Sequence, residues 1–262
     1  MHRWLAGRTI TAAETKVAGF PAQRLVGQTV DRVEAQGKHL LIRLDSGQTV
    51  HSHMKMTGSW HVYRAGDRWR KPGSQARLTV TCGDRLAVCF NAPVVELLQP
   101  RAEALHPGLA GLGPDVLVDP FDTDEVVRRG RRSPPDLPLG ELLLDQRVVA
   151  GIGNIWRCES LFADRVNPWT PQSALTDDAL RHLVLTASRL MRAQLGPWQG
   201  PGPQHKVYKR NGRPCRRCGT TVQSRRTGEN ARTVYWCPTC QPPEHRDRAS
   251  GGHSHHSRGE FG

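Results

Sequence analysis

Residues Lys38 to Leu44 alternate, with Leu40, Ile42 and Leu44 on one side and His39, Leu41 and Arg43 on the other. Asp45-Ser46-Gly47 supplies a turn, and Thr49 to Met56 returns with a second alternation, so the pair reads as a β-hairpin. A second pair, Leu78 to Cys82 and Leu86 to Phe90, is joined by Gly83-Asp84. Repeated hairpins predict an antiparallel sandwich or barrel for the first hundred or so residues. After Asp115 the period becomes helical. Thr176 reads as an N-cap, with Asp177 and Asp178 in the first turn. Leu180, Leu183, Val184, Ala187, Leu190 and Met191 form the apolar stripe that follows, and Arg189, Arg192 and Gly196-Pro197 close the helix. Gly130 to Pro135 reads as a basic linker, and residues past Gln241 lack a packing pattern and are expected to be disordered.

These periodicities predict an α+β chain. An N-terminal β-sandwich spans 1–115, a helical unit 116–204, a cysteine-containing β-hairpin segment 205–241 and a tail 242–262. Hydrophobic content of 37% and a mean hydropathy of −0.54 allow a real but lean core. No apolar stretch reaches membrane-spanning length and no signal peptide is read, so a cytoplasmic protein is expected. A net charge of +13 and a pI near 10.1 point to a polyanionic partner. Basic pI alone also fits an anionic lipid surface, but no basic amphipathic helix supports that reading.

Cys215, Cys218, Cys237 and Cys240 give C-x2-C-x18-C-x2-C, the spacing of a four-thiolate zinc site. Two disulfides are the alternative, disfavoured by three scattered further cysteines and the absence of a secretory signal. Four thiolates leave no open coordination position, so the zinc would be structural. Between His205 and Cys240 nine Lys/Arg face one acid, a net +8 on a module held by metal. Such a cluster points to phosphate, hence to nucleic acid. Gly151-Ile152-Gly153-Asn154, between two helical segments, fits a backbone phosphate clamp in which Asn154 caps the following helix. A tight interhelical turn needing glycine for packing explains it equally well.

The whole run Leu143 to Trp156 resembles the helix–two-turn–helix signature of the formamidopyrimidine-DNA glycosylase and endonuclease VIII family. Lys206-Val207-Tyr208 to Cys240 resembles that family's zinc finger. Gly37-Lys38-His39-Leu40-Leu41 and Ser52-His53-Met54-Lys55-Met56-Thr57-Gly58-Ser59-Trp60 resemble two of its sandwich motifs. The four matches follow family order over about residues 5 to 241, and Trp156 and Tyr235-Trp236-Cys237-Pro238 look closer to the endonuclease VIII branch.

The resemblance implies a monomeric, nucleoid-associated enzyme of base-excision repair acting on damaged double-stranded DNA. It would extrude an oxidised base, a pyrimidine before a purine, cut the glycosidic bond and cleave the abasic site by β- and δ-elimination. Lys38 would be the catalytic sandwich lysine that assists sugar opening and lyase chemistry. Read from the strand alone, Lys38 is better explained as a stem packed on apolar surface with its ammonium reaching water. Met56 would fill the void left by the extruded base, with Lys55 and Thr57 beside it. Asn154 would clamp phosphate, and Arg232 would grip phosphates around the flipped nucleotide. Glu159 reads as structural.

One departure is large. Family members begin Met-Pro-Glu-Gly, where the proline amine is the Schiff-base nucleophile and the glutamate the general acid/base. This chain begins Met1-His2-Arg3-Trp4, resembling the end of the family's first helix. A start placed too late is the favoured explanation, and a non-catalytic damaged-DNA-binding remnant is the alternative. A zinc ribbon for RNA or transcription, suggested by the finger alone, does not account for Gly37-Lys38 or Gly151 to Asn154.

Overall fold

A computed structural model describes residues 1–55, 57–195, 204–228 and 232–243. Met56, the expected helix stop at 196–197 and most of the tail therefore lie outside the described residues. Eight strands build the first half: β1 (Ala12–Thr15), β2 (Val30–Gln36), β3 (His39–Leu44), β4 (Thr49–His53), β5 (Ser59–Arg64), β6 (Ala76–Cys82), β7 (Arg85–Phe90) and β8 (Val94–Leu98). They form two antiparallel four-stranded sheets, ordered β1-β6-β7-β5 and β2-β3-β4-β8.

The alternation seen in the sequence sets the packing. Ile42, Leu44 and Val50 of one sheet meet Leu78, Val80 and Ala87 of the other in a shared core, which Leu40 joins from its edge. Leu41 points the other way yet is also fully buried, because Leu109 and Leu98 cover it. The expected strand Thr49 to Met56 is shorter than the alternation suggested. It stops at His53, since Lys55 takes a left-handed φ of 45° and turns the chain away.

Six helices complete the α-helical inventory of the described residues: α1 (His2–Leu5), α2 (Pro100–Ala104), α3 (Thr123–Arg131), α4 (Leu139–Leu142), α5 (Asn154–Ala163) and α6 (Asp177–Arg192). Thr176 caps α6 through Ala179 N at 3.2 Å, as its position in the sequence suggested. Leu180, Leu183, Val184, Ala187 and Met191 are buried against α3, α4 and α5, with Leu190 at the edge. The expected linker at Gly130 to Pro135 is instead the end of α3 and a fixed turn. Gly130 is buried against Leu180 and Leu142, and Arg131 binds Asp177, Gln172 and the Leu175 carbonyl. The charge of Arg131 is thus consumed by structure.

Strands β9 (Gln223–Thr227) and β10 (Arg232–Trp236) form the C-terminal hairpin. Its core of Val207, Val222, Val234 and three buried cysteines is completed by Cys158 and Phe162 of α5. Helix α5 thus serves two cores at once, presenting Leu161 to the helical unit and Cys158 to the finger.

Candidate nucleic-acid interface and metal centre

Gly37 and Lys38 form the turn between β2 and β3. Gly37 has φ +59°, and a Cβ there would stand 3.2 Å from the Ala150 Cβ. Its amide donates to Asp115 Oδ2 at 2.7 Å, fixing the sandwich to the helical unit. Lys38 then reaches across that junction and donates from Nζ to the Ile152 carbonyl at 2.6 Å. Burial, with the positive Arg232 nearby, pulls the Lys38 pKa down to about 8. The lysine is therefore a partly buried amine fixed at the turn and not a stem lying along the sandwich surface.

The carbonyl that Lys38 binds belongs to the Gly151–Asn154 turn. Gln146 shapes this turn, donating to Ile152 O at 3.1 Å and accepting from Gly151 N at 3.1 Å. Gly151 sits at φ +99°, where only glycine is at ease. Asn154 does not cap the helix, contrary to the reading of the sequence. The N-cap is Gly153, and Asn154 is the first helical residue of α5. Its amide donates instead to the Thr233 carbonyl at 2.9 Å, tying the start of α5 to β10, while its Oδ1 accepts from Arg157. The first amides of α5 are thus left without a side-chain cap, an arrangement that favours an anion.

Arg157 is the residue that sequence reasoning undervalued. It is fully buried, donates to Asn154 and to Gly140 O at 3.4 Å, and lies 3.6 Å from the Glu141 carboxylate. Glu141 in turn accepts from Thr227 of β9 at 3.1 Å. An arginine three residues after Asn154, on a helix otherwise turned inward, was the available signal.

Glu159 reads as structural here too. Its carboxylate accepts the amides of Lys206, Val207 and Tyr208 at 2.8, 3.0 and 2.9 Å, holding the segment that enters the finger. Glu159→Ala leaves those donors unpaired in a buried place and is expected to weaken finger docking by roughly 3 kcal/mol. Limited proteolysis at 204–215 checks this; a variant as resistant as wild type would rule it out.

The four cysteines of the finger come together: their sulfurs all lie within 4.8 Å of one another. Cys215 and Cys240 Sγ are 3.9 Å apart, and Cys218 and Cys237 Sγ 3.5 Å apart. Tetrahedral zinc with Zn–S near 2.3 Å requires sulfurs roughly 3.8 Å apart, so the donor set fits. Backbone amides of Arg217 and Cys240 point at Cys215 and Cys237 Sγ at 3.4 and 3.5 Å, which suits thiolate acceptors. Arg232 opens β10, exposed, close enough to Lys38 and Arg157 for its charge to disfavour theirs. Lys38, Asn154 and Arg232 therefore share one locality, although 116 and 78 residues separate them in sequence.

Lys55 stands exposed at the far end of β4 in a turn closed by Gly58 N to Met54 O at 2.8 Å. A Cβ on Gly58 would fall 2.7 Å from Met54 Cα, so the turn requires glycine. Thr57 Oγ1 anchors it to Asn91 O at 3.2 Å.

Family models bear on this arrangement. The formamidopyrimidine-DNA glycosylase N-terminal domain matches residues 1–93 and the formamidopyrimidine-DNA glycosylase H2TH domain residues 112–197. A protein named "Probable endonuclease 8 2" from Streptomyces coelicolor is 40% identical over 249 residues, covering 92% of this chain and 89% of its own length. The chain belongs to the formamidopyrimidine-DNA glycosylase and endonuclease VIII family. Another member, "DNA-(apurinic or apyrimidinic site) lyase Nei2" of Mycolicibacterium smegmatis, is 37% identical, with 90% of this chain and 92% of that one covered. Endonuclease 8 of Escherichia coli is 36% identical over 83% of this chain and 85% of its own. In fold, the chain superposes with TM-score 0.75 on Lactococcus lactis formamidopyrimidine-DNA glycosylase bound to DNA containing an abasic site, covering 92% and 95% of the two chains at 21% identity. The α+β architecture of the family is the one described above.

Proposed function

We propose that this family member is a DNA glycosylase with abasic-site lyase activity on oxidised bases, pyrimidines before purines. The observation that carries the reading is the lowered-pKa amine of Lys38, held at 2.6 Å on the same turn that presents the uncapped start of α5. At pH 7 an amine of pKa about 8 is roughly nine-tenths ammonium, yet titrates readily. Lys38 is assigned to protonating the sugar ring oxygen as the ring opens, which assists both base removal and the lyase step at an abasic site. Asn154, the first amides of α5 and Arg232 bind phosphates on either side of the lesion, and Lys55 and Met56 enter the duplex where the base has left. In the family's chemistry an amine adds to the sugar carbon, water leaves, and the Schiff base then loses a C2′ proton and the 3′ phosphate. Cys215, Cys218, Cys237 and Cys240 would hold a zinc ion that cross-links the finger and takes no part in the bond changes. The chain would act as a monomer on DNA; among the described residues no helix is long and apolar enough to cross a membrane.

Borohydride trapping tests this reading on duplexes carrying an oxidised pyrimidine, an oxidised purine or a preformed abasic site, with the cross-linked amine mapped. A version extended at its start by a Met-Pro-Glu-Gly helix is run in parallel. Trapping on the pyrimidine lesion ahead of the purine supports the proposal. Tight abasic-site binding with no adduct from either version supports a protein that recognises damage without excising it. No preference for any lesion sinks both.

Asn154→Ala and Arg232→Ala should each weaken binding to an abasic-analogue duplex about tenfold, the worth of a charge-assisted or positioning phosphate contact. For Arg232→Ala the slope of log affinity against log salt should also fall by about one ion. Unchanged slopes in a salt titration would reject the phosphate role.

A further inference from the structure

Four histidines and a glutamate line the outer face of the β2-β3-β4-β8 sheet, beside the site but not part of it. His39 Nδ1 lies 2.7 Å from His51 Nε2, and His51 Nδ1 lies 2.7 Å from Glu96 Oε1. His106 Nε2 reaches the same Glu96 oxygen at 2.9 Å. His53 joins through its ring, set edge-to-face on His39 with centroids 4.6 Å apart. Two backbone amides fix the protons. Gly108 N donates to His106 Nδ1 at 3.1 Å, and Lys55 N donates to His53 Nδ1 at 3.1 Å.

Those amides leave little freedom. With its Nδ1 accepting, His106 carries its hydrogen on Nε2 and gives it to Glu96. His51 gives Glu96 its Nδ1 hydrogen and so accepts from His39 at Nε2. His53 keeps Nδ1 unprotonated to hold Lys55. A second proton on His53 or His106 would set its Nδ1–H against a backbone N–H. The same logic disfavours a metal ion on His51, Glu96 and His106, although their ligand atoms lie within 4.8 Å of one another. Metal on His106 Nε2 would drive its hydrogen to Nδ1, against the Gly108 amide.

The ladder ends on the turn that the proposed function places in the duplex. Lys55, in its left-handed conformation, has its backbone amide held by the His53 ring. We propose that the neutral histidine ladder sets this turn, and that protonating it costs the protein its preference for damaged over undamaged duplex. The inference rests on the damage-binding reading above. Burial and the neighbouring cations push His53 and His51 below the ordinary histidine range and His39 to about 4. The groups facing the ladder are His39 and Lys38 from the β3 end, His51, His53 and Lys55 from β4 and its turn, Glu96 from β8, Glu103 from α2, and His106. Because the folded values are depressed, the neutral arrangement persists below the ordinary value of about 6.5 and is lost only as pH falls through the lowered folded values.

The test is equilibrium binding of the full chain to abasic-analogue and undamaged duplexes at fixed salt, from about pH 7.5 down to about 4, with circular dichroism confirming that the fold holds at each pH. Added histidine charge alone would tighten binding to both duplexes. The ladder adds a fall in the damaged-to-undamaged ratio of about tenfold, the worth of one lost hydrogen bond. His53→Asn offers an oxygen that accepts the Lys55 amide and does not titrate, so its ratio should stay at the neutral value throughout. His53→Phe should show the low ratio at every pH, with circular dichroism confirming its fold. A wild-type ratio that holds or rises on acidification overturns the proposal, and so does His53→Asn tracking wild type. Should His53→Phe fail to fold, the wild-type and Asn profiles decide alone. A second equivalent of bound metal that Glu96→Gln removes would show a metal site instead and overturn it. A wild-type chain with no preference for the abasic duplex at about pH 7.5 would instead sink the function on which the ladder rests.

Discussion

Cys237→Ser is expected to abolish measurable binding to abasic-site duplex while the β-sandwich remains folded. The finger has almost no core of its own: Val207, Val222 and Val234 are its only fully buried aliphatic side chains among the described residues. That area cannot order some thirty-five residues against a backbone entropy cost of about 1–2 kcal/mol each. Structural zinc supplies apparent binding free energies of roughly 10–16 kcal/mol, more than three buried valines contribute. Removing one thiolate leaves the Asn154 amide without Thr233 and frees Arg232 from the locality of Lys38. The sandwich core shares no side chain with the finger core, so it should be spared. Elemental analysis, circular dichroism and a binding titration read the three parts together. A variant that loses zinc and keeps its DNA affinity would defeat the argument.

Lys38→Ala is expected to slow strand cleavage at abasic sites by about 10²–10⁴-fold, the usual worth of a placed general acid. Affinity for an abasic-analogue duplex should change far less, because phosphate contacts carry binding. The wild-type rate should fall as pH rises through about 8, where the ammonium that protonates the sugar oxygen is lost. Lys38→Arg keeps its charge to far higher pH, so whatever rate survives should lack that fall. A flat wild-type profile between pH 7 and 9, or an alanine variant of full rate, would remove Lys38 from the chemistry.

Much of this was legible in the chain. The period-2 runs around Leu40 and Leu86 gave strands because each buries one face on the opposite sheet. Cysteine spacing identified a cluster because two knuckles at that separation must face each other. What failed was of another kind. Gly130 to Pro135 has the composition of a linker, yet Arg131 is held by Asp177 of α6 and by a backbone carbonyl that only the fold brings near. Asn154 looks like a cap in isolation, but β10 competes for its amide, and Gly153 serves as the N-cap without a side-chain bond. The histidine ladder was half visible, since His51 and His53 share a face with His39. Glu96 and His106 come from β8 and the segment after α2, and no local pattern reaches them.

The bonds that tie the site together join distant parts of the chain: Lys38 to Ile152 across 114 residues, and Asn154 to Thr233 across 79. Closing such separations has little reward until most of the protein is in place. A chain leaving the ribosome therefore exposes Lys38 long before its partner carbonyl or Arg232 has been made. At that stage the amine is hydrated and of ordinary basicity, and no clamp exists to bring a phosphate near it. On the proposed function, competence would arrive only with the C-terminal hairpin, so synthesis order would act as a safety catch against cleavage by unfinished copies.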